Sequence, residues 1–140
     1  FEIVRAFVAS ADLSDHQHKV VEFTSGNIRV PPAASGDGAE AVGVLQDKPE
    51  SGRVGEVLLF GYSKVISGEA IAVGDYLIAE GSDTAASAGR VKAATMNGDE
   101  AVADEVIIGR ALQAASAANE VIEAFVWPVM GNQTNRTYTP

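Results

Sequence analysis

The chain has 140 residues, enough for one domain with a substantial buried core, and 19 acidic against 10 basic residues give a formal charge of −9. It contains no cysteine, which excludes a disulfide framework and a thiolate metal site. The basic residues are scattered singly and no apolar run is long enough for a membrane span, so neither nucleic-acid binding nor membrane insertion is expected.

The first part of the chain is predicted to form three strands. Residues 1–9 alternate loosely between polar and apolar side chains, which predicts a strand, or an N-terminal arm strand completed by a neighbouring chain. Two apolar runs at 19–24 and 28–30 flank a tight-turn sequence at 25–27, which predicts a β-hairpin. The Pro-Pro pair at 31–32 ends this hairpin because proline cannot donate to a β ladder.

The only two histidines lie just before the second predicted strand. His16 and His18 are two residues apart, so both imidazoles would share one face of a strand. Together with Asp12 or Asp15 they could bind a metal ion. A convincing site needs three or four ligands, however, and the other candidates here are ordinary surface acids. We therefore predict no metal site and interpret the histidines as a solvated pair.

The central pattern lies at 41–61, where two apolar runs flank a polar turn rich in proline and glycine. It predicts a β-hairpin whose second arm continues to residue 66, and a glycine inside so long a strand, Gly61, predicts a bend. Before it, the small-residue loop at 33–39 has two glycines but lacks the Gly-Lys-Ser/Thr of a phosphate-binding loop. That stretch is interpreted as a surface loop.

The second half of the chain is predicted to contain two further hairpins. Residues 76–79 and 90–94 predict a third hairpin with a longer tip. The acidic loop at 95–105 lacks the ligand spacing of an EF-hand, so no calcium site is predicted there. A closing hairpin at 108–126 resembles the central one, which suggests two related halves of one small fold. Pro128 then ends the ladder.

The sequence therefore predicts an all-β protein. We expect a small β-barrel or sandwich of about eight short antiparallel strands, built from hairpins within a single domain at 1–128. Residues 129–140 have no periodic apolar face and are predicted to form an extended C-terminal tail.

No catalytic arrangement can be recognised. An activated nucleophile needs a base held by a third group, and no Gly-x-Ser-x-Gly elbow is present. Carboxylate pairs such as Glu56 with Glu120 are expected by chance among 19 acids. We therefore predict that the protein is not an enzyme, that it has no catalytic residues and no cofactor, and that it is a binding or structural module.

Three motifs, in order, resemble the capsid cement, or head decoration, proteins of tailed bacteriophages. They are Val42-Gly43-Val44-Leu45-Gln46-Asp47-Lys48-Pro49, the segment at 68–77, and the segment at 106–112 with Glu120-Val121-Ile122. The resemblance runs from about Ala6 to Val126. It implies a structural virion protein, made in the bacterial host cytoplasm, that binds the outside of the assembled capsid and stabilises it. The implied partners are the major capsid protein and further copies of the chain, with a trimer favoured, and neither nucleic acid nor membrane.

The N-terminal strand, the tip of the central hairpin and the tail are the segments predicted to contact the capsid or other subunits. Aromatic and arginine side chains are favoured interface anchors, and the tail has no apolar face of its own to bury. The predicted contact residues are Phe1, Ile3, Arg5, Lys48, Arg53, Trp127, Met130, Arg136 and Tyr138. The structural alternative is that Trp127 belongs to the core and that the tail has no partner.

A second functional class stays open. A non-enzymatic β-rich module on a virion could instead bind carbohydrate or a host surface. Sugar sites usually present exposed aromatic side chains or a calcium cage, and this chain has one Trp and three Tyr and lacks a clear calcium-binding pattern. Glycan binding would favour this alternative, whereas co-sedimentation with expanded heads would favour the capsid protein.

Overall fold

The computed structural model describes residues 1–36, 41–97, 100–101 and 106–127, with residues 96, 97, 100 and 101 described as backbone only. The predicted tail at 129–140 and most of the acidic loop at 95–105 therefore lie outside the described side chains. The strands are β1 (Ile3–Val8), β2 (Val20–Thr24), β3 (Asn27–Arg29), β4 (Ala41–Leu45), β5 (Val54–Ile66), β6 (Tyr76–Ala79), β7 (Val91–Ala93), β8 (Met96–Asn97), β9 (Glu100–Ala101), β10 (Ile107–Ala111) and β11 (Val121–Val126), and one 3-10 turn spans Ala33–Ser35.

These strands form one curled sheet and a small separate hairpin. In the large sheet the order is β3-β2-β4-β5-β11-β10-β6-β7, and β1 adds to β5 as a ninth strand. The pairs within the sheet are antiparallel. Strands β8 and β9 pair with each other in a separate two-stranded sheet. The predicted all-β class is confirmed, with strands linked mainly as antiparallel hairpins.

Strand β5, with 13 residues, joins the two halves of the sheet. Its first part pairs with β4 and with β1, whereas its second part pairs with β11 from Gly61 onward. Gly61 has a φ of 133°, which only glycine adopts freely. The side of the strand that joins the larger core cluster also changes there, because Leu58 before the glycine and Val65 after it belong to the same cluster. The strand thus changes partners at the glycine where a bend is predicted.

Two clusters of buried apolar side chains lie on opposite faces of the central strands. Adjacent residues on one strand belong to different clusters, as Val20 and Val21 do on β2 and Val44 and Leu45 do on β4. Because successive side chains of a strand point to opposite faces, both faces of these strands are covered. This explains why their sequences are continuous apolar runs and do not alternate.

The predicted hairpins are present, with small changes at their ends. The central hairpin is β4-β5, the closing hairpin is β10-β11, and the two lie side by side through the pairing of β5 with β11. The hairpins β2-β3 and β6-β7 also pair as predicted. Strand β1 pairs with β5 of its own chain from Ile3 to Val8, so the strand predicted at 1–9 forms without a neighbour.

One glycine in each of the two similar hairpins allows close approach of the paired strand. A Cβ atom on Gly43 of β4 would overlap the carbonyl oxygen of Leu58, and one on Gly109 of β10 would overlap that of Phe125. Both obstacles are backbone atoms of a paired strand, which cannot move aside as a flexible side chain can. The repeated glycine therefore has a packing role.

We expect Gly43→Ala and Gly109→Ala each to lower the free energy of unfolding by about 2–4 kcal/mol, because the added methyl group forces two paired strands apart. Urea unfolding followed by circular dichroism measures this. Glu123→Ala, at an exposed position on β11, serves as the control and should change stability by about 0.5 kcal/mol or less. Glycine variants as stable as that control would contradict the packing role.

Candidate interaction surface

A row of large side chains crosses four neighbouring strands on the outer face of the sheet. Tyr62 of β5 lies opposite Phe125 of β11, Phe125 lies opposite Arg110 of β10, and Arg110 lies opposite Tyr76 of β6. Ala124, next to Phe125 along β11, and Ala111, next to Arg110 along β10, are buried on the inner face. The pairing register alone therefore places three aromatic rings and one guanidinium in line.

The aromatic rings of this face contact one another. Phe125 is central: its ring centroid lies 5.2 Å from that of Phe60, 5.3 Å from that of Tyr62 and 5.8 Å from that of Trp127. Phe1 extends the group beyond Phe60, at 6.3 Å. The contacts of Phe125 with Phe60 and Tyr62 are edge-to-face, and the other two are tilted. Such ring pairs stabilise each other and hold the rings in fixed positions. We call this group, together with Tyr76 and Arg110, the aromatic face.

Arg110 gives the aromatic face a fixed positive charge. Its guanidinium carbon lies 4.8 Å from the centroid of the Tyr76 ring, and its Nε donates a hydrogen bond of 2.9 Å to the carbonyl oxygen of Gly74. A cation stacked on a ring is well ordered and still presents its remaining N–H groups outward. The face thus combines apolar area with a hydrogen-bond donor.

Exposure distinguishes the aromatic face from ordinary core packing. Tyr62 is 61% exposed and Phe1 is 94% exposed, although both are large apolar side chains. The chain has nine aromatic residues, and six of them belong to this one face. A contiguous exposed apolar patch with a polar rim is typical of an interaction surface.

Strand β1 continues this surface past Phe1. Ile3, Val4 and Val8 are 40%, 43% and 37% exposed, so apolar side chains face solvent on both sides of the strand. On the inner side, Arg5 lies over the ring of Phe7 at 5.9 Å.

The tip of the central hairpin lies at the other end of β1. Val54, the first residue of β5, pairs with Val8. Next to it, the Ala9 N–H donates to the carbonyl oxygen of Arg53 at 2.8 Å, and the Gly52 N–H donates back to that of Ala9 at 2.9 Å. Lys48 and Arg53 are exposed in this tip.

The structure places six of the nine predicted contact residues along β1, at the hairpin tip next to its end and in the aromatic face. Phe1, Ile3 and Arg5 lie on or next to β1, Arg53 lies at its far end, and Trp127 joins Phe1 through the rings of the aromatic face. Lys48 lies in the same hairpin tip as Arg53. The other three predicted contacts, Met130, Arg136 and Tyr138, lie outside the described residues.

The centre of the surface is not predicted by the sequence. The sequence predicts strands that contain Phe60, Tyr62 and Phe125, but it does not indicate that these rings meet one another or that Tyr76 and Arg110 join them. A usable signal existed in the alternation of Phe125 with Trp127 along one strand, which places both rings on one face. The alignment of these residues with Tyr62 and Tyr76 depends on strand pairing, which no local pattern specifies.

The two histidines are more buried than the sequence suggests. His16 is 7% exposed, and the Nδ1 atoms of His16 and His18 are buried without a hydrogen-bond partner among the described residues. Burial lowers the pKa of both imidazoles, and nearby lysines lower it further: Lys19 for His16, and Lys64 and Lys48 for His18. They are therefore not the solvated pair that the sequence predicts.

Lys19 lines a pocket beside His16. The pocket has a volume of about 310 Å³ and is also lined by Asp15, Ala85 and Ala86. The Lys19 ammonium donates to the carbonyl oxygens of Ala85 and Ala86 at 3.1 and 3.3 Å. Burial lowers its pKa. The two hydrogen bonds of Lys19 thus connect the loop before β7 to the start of β2.

Because the folded protein holds its histidines below their ordinary pKa of 6.5, the unfolded chain binds more protons as the pH falls. We expect the histidine contribution to the free energy of unfolding to be constant at and above about pH 7.5 and to decrease from about pH 7 to pH 5. Urea unfolding at several pH values measures this. The variant His16→Gln/His18→Gln should show a flatter profile in that window, and an unchanged slope would contradict the assignment.

No group of three or more His, Asp or Glu side chains is placed to bind a metal ion within residues 1–36, 41–95 and 106–127. In those same ranges, no helix is long and apolar enough to span a membrane.

Comparison with known proteins gives a likeness of fold. No protein-family model and no curated protein matches the chain. Among solved structures, it is similar to the crystal structure of the head fiber gp8.5 N base of bacteriophage phi29, with a TM-score of 0.59 and 16% sequence identity. The alignment covers 90% of this chain and 94% of that one. The two proteins therefore share a fold along nearly their whole length.

Proposed function

We propose that the chain is a structural virion protein that binds the outside of an assembled phage head and stabilises it, and that it is not an enzyme. The observation that carries this proposal is the fold shared with a phage head fiber base over 90% of the chain. The three ordered motifs that resemble capsid cement proteins support it independently. The proposed partner is the major capsid protein, and the location is the exterior of the virion.

The aromatic face is the part of the surface best suited to contact the shell. It offers rigid rings and one ordered guanidinium, Arg110, and these side chains dominate binding at protein interfaces. The exposed basic residues of the hairpin tip, Lys48 and Arg53, can add to the contact. Strand β1 and the segment after Trp127 are assigned to contacts between copies of the chain, for which a trimer is favoured.

Binding of this kind stabilises a shell by mass action. A ligand that binds only the assembled state adds RT ln(1 + [L]/Kd), which is about 2.7 kcal/mol per site when the free ligand exceeds Kd a hundredfold. Many identical sites repeat this gain across the head. Moderate affinity at each site is therefore sufficient.

Co-sedimentation tests the proposal. The purified chain should pellet with expanded heads in a saturable manner and should remain in the supernatant with free capsid subunits. Equal binding to both, or to neither, would contradict it.

A second candidate function is carbohydrate binding on a virion surface. It is favoured by one observation: the outer face carries exposed Tyr62 and Arg110 next to the facing pair Lys64 and Glu123. Sugars bind to such combinations of a ring face and polar groups. A glycan array probed with the purified chain, with and without EDTA, distinguishes the two functions. Specific glycan binding that Tyr62→Ser abolishes would favour this candidate.

A further inference from the structure

The pocket lined by Lys19 lies between two loops that pack closely against each other. One loop, 9–19, leads into β2, and the other, 80–90, leads into β7. At their contact the Val20 N–H donates to the carbonyl oxygen of Gly89 at 2.8 Å. A Cβ atom on Gly89 would overlap the carbonyl oxygen of Val20, so only glycine allows this approach. The walls of the pocket are therefore held together at its base.

Two of the five residues that line the pocket are buried polar side chains. His16 is 7% exposed and Lys19 is 6% exposed, whereas Asp15, Ala85 and Ala86 are exposed. Lysine is almost never buried to this extent unless its charge has a partner. The pocket thus has an exposed rim and a buried polar base. Its volume of about 310 Å³ is at the small end of the range for ligand sites.

The buried charge of Lys19 has no direct counter-ion in the described part of the chain. Its ammonium donates to the backbone carbonyl oxygens of Ala85 and Ala86, which are uncharged. Neither of the two ion pairs between described residues includes Lys19. A buried charge is costly unless it is paired, and an ammonium has three N–H donors, of which one remains here. Lys19 can therefore hold an anion and gains from doing so.

The other charged groups near Lys19 leave room for a negative charge. Arg90 and Glu80 are paired with each other at 3.2 Å, so their effects on Lys19 largely cancel. Asp15 also acts on Lys19, but it is exposed and water screens its charge. A metal ion is a poor occupant, because the ammonium repels cations and the lining includes only one imidazole and one carboxylate.

His16 adds a second unused polar group beside Lys19. Its Nδ1 is buried without a hydrogen-bond partner among the described residues. Burial, and then the charge of Lys19, lowers the pKa of the imidazole, so the ring is mainly neutral at neutral pH. A neutral imidazole carries one N–H. His16 can therefore donate to an anion held by Lys19 without placing a second positive charge in the pocket.

We propose that this pocket binds one oxyanion group, a carboxylate or a phosphate, through the Lys19 ammonium and the His16 imidazole. The bound anion neutralises the ammonium at the point where the loops 9–19 and 80–90 meet. The site shares no residue with the aromatic face. The inference goes beyond the proposed function, and either can fail while the other stands.

An NMR titration of the purified chain without heads tests the proposal. Sodium phosphate, sodium acetate and sodium chloride are added separately at matched ionic strength and neutral pH. We expect phosphate or acetate to shift the amide signals of residues 15–19 and 85–86 saturably at millimolar concentrations, and chloride to leave them unchanged. The oxyanion that binds more tightly identifies the group as phosphate or carboxylate. Shifts that are absent, or that chloride reproduces, would overturn the proposal.

Variants at the base and at the rim of the pocket sharpen the test. Lys19→Met removes the charge, keeps an apolar stem and should weaken oxyanion binding about tenfold or more. Lys64→Met, at an exposed position on β5, is the matched control and should stay within about twofold of the unmodified chain.

Asp15→Asn keeps the proposal testable even if Lys19→Met does not fold, because Asp15 is exposed and outside the core. It removes a negative charge from the rim and should tighten oxyanion binding about twofold or more. The proposal is wrong if Lys19→Met binds as tightly as Lys64→Met, or if Asp15→Asn gains no affinity.

Discussion

Replacing Arg29 by leucine is expected to destabilise the protein by about 3 kcal/mol, because it leaves a buried carboxylate without its cation. Glu22 of β2 is fully buried, and its Oε2 accepts hydrogen bonds from Arg29 Nε at 3.0 Å and from Ser35 Oγ at 2.8 Å. The two charged residues are directly opposite each other in the β2-β3 hairpin. Urea unfolding gives the change in free energy of unfolding.

A double variant separates the ion pair from simple packing. Glu22→Leu/Arg29→Leu removes both charges and should recover most of the stability lost in Arg29→Leu, since an apolar pair of similar volume can replace a buried ion pair. Arg53→Leu, at an exposed position of the hairpin tip, is the matched control and should change stability by about 0.5 kcal/mol or less. If Arg29→Leu changes the free energy of unfolding no more than Arg53→Leu does, Arg29 does not stabilise the buried Glu22 carboxylate.

Replacing Tyr62 by serine is expected to weaken binding to expanded heads at least tenfold, which corresponds to about 1.4 kcal/mol or more. Tyr62 is the most exposed ring in the four-strand row and is held by its contact with Phe125. Its loss removes a rigid anchor from the aromatic face and leaves the buried core unchanged. Titration of heads with labelled protein measures the affinity.

Val73→Ser provides the comparison for Tyr62→Ser. Val73 has a similar exposure, 65% against 61%, but lies in the loop between β5 and β6, outside the aromatic face. The affinity of Val73→Ser for heads should remain within about twofold of that of the unmodified chain. If the two variants bind equally well, the aromatic face is not the shell contact.

Local sequence chemistry was sufficient to predict most of the hairpins. The sequence places the third hairpin's first arm at 76–79, and β6 has the same bounds, because turn residues and apolar runs are local signals. Gly61 likewise indicated the break in β5. These features depend on residues close together in the chain. There the conformational preference of each residue and the pattern of buried side chains favour the same local structure.

The surface could be predicted only in part, because it depends on long-range pairing. Arg110 reaches Tyr76 and Phe125 only through the register of three strands, two of which are more than 30 residues apart in sequence. His16 has a polar sequence context, yet folding places it in a largely buried position. A sequence pattern reports which face of a strand is apolar, but not which other strand covers it.

The most direct test of the central claim is a heat-release measurement on DNA-filled heads that lack this chain. Heads should release their DNA at a higher temperature after saturation with the purified protein, because a ligand that binds only the assembled shell stabilises it. Tyr62→Ser added at the same concentration should restore less of this protection. If saturating amounts of bound protein leave the release temperature unchanged, the protein does not stabilise the head and the account of its function is wrong.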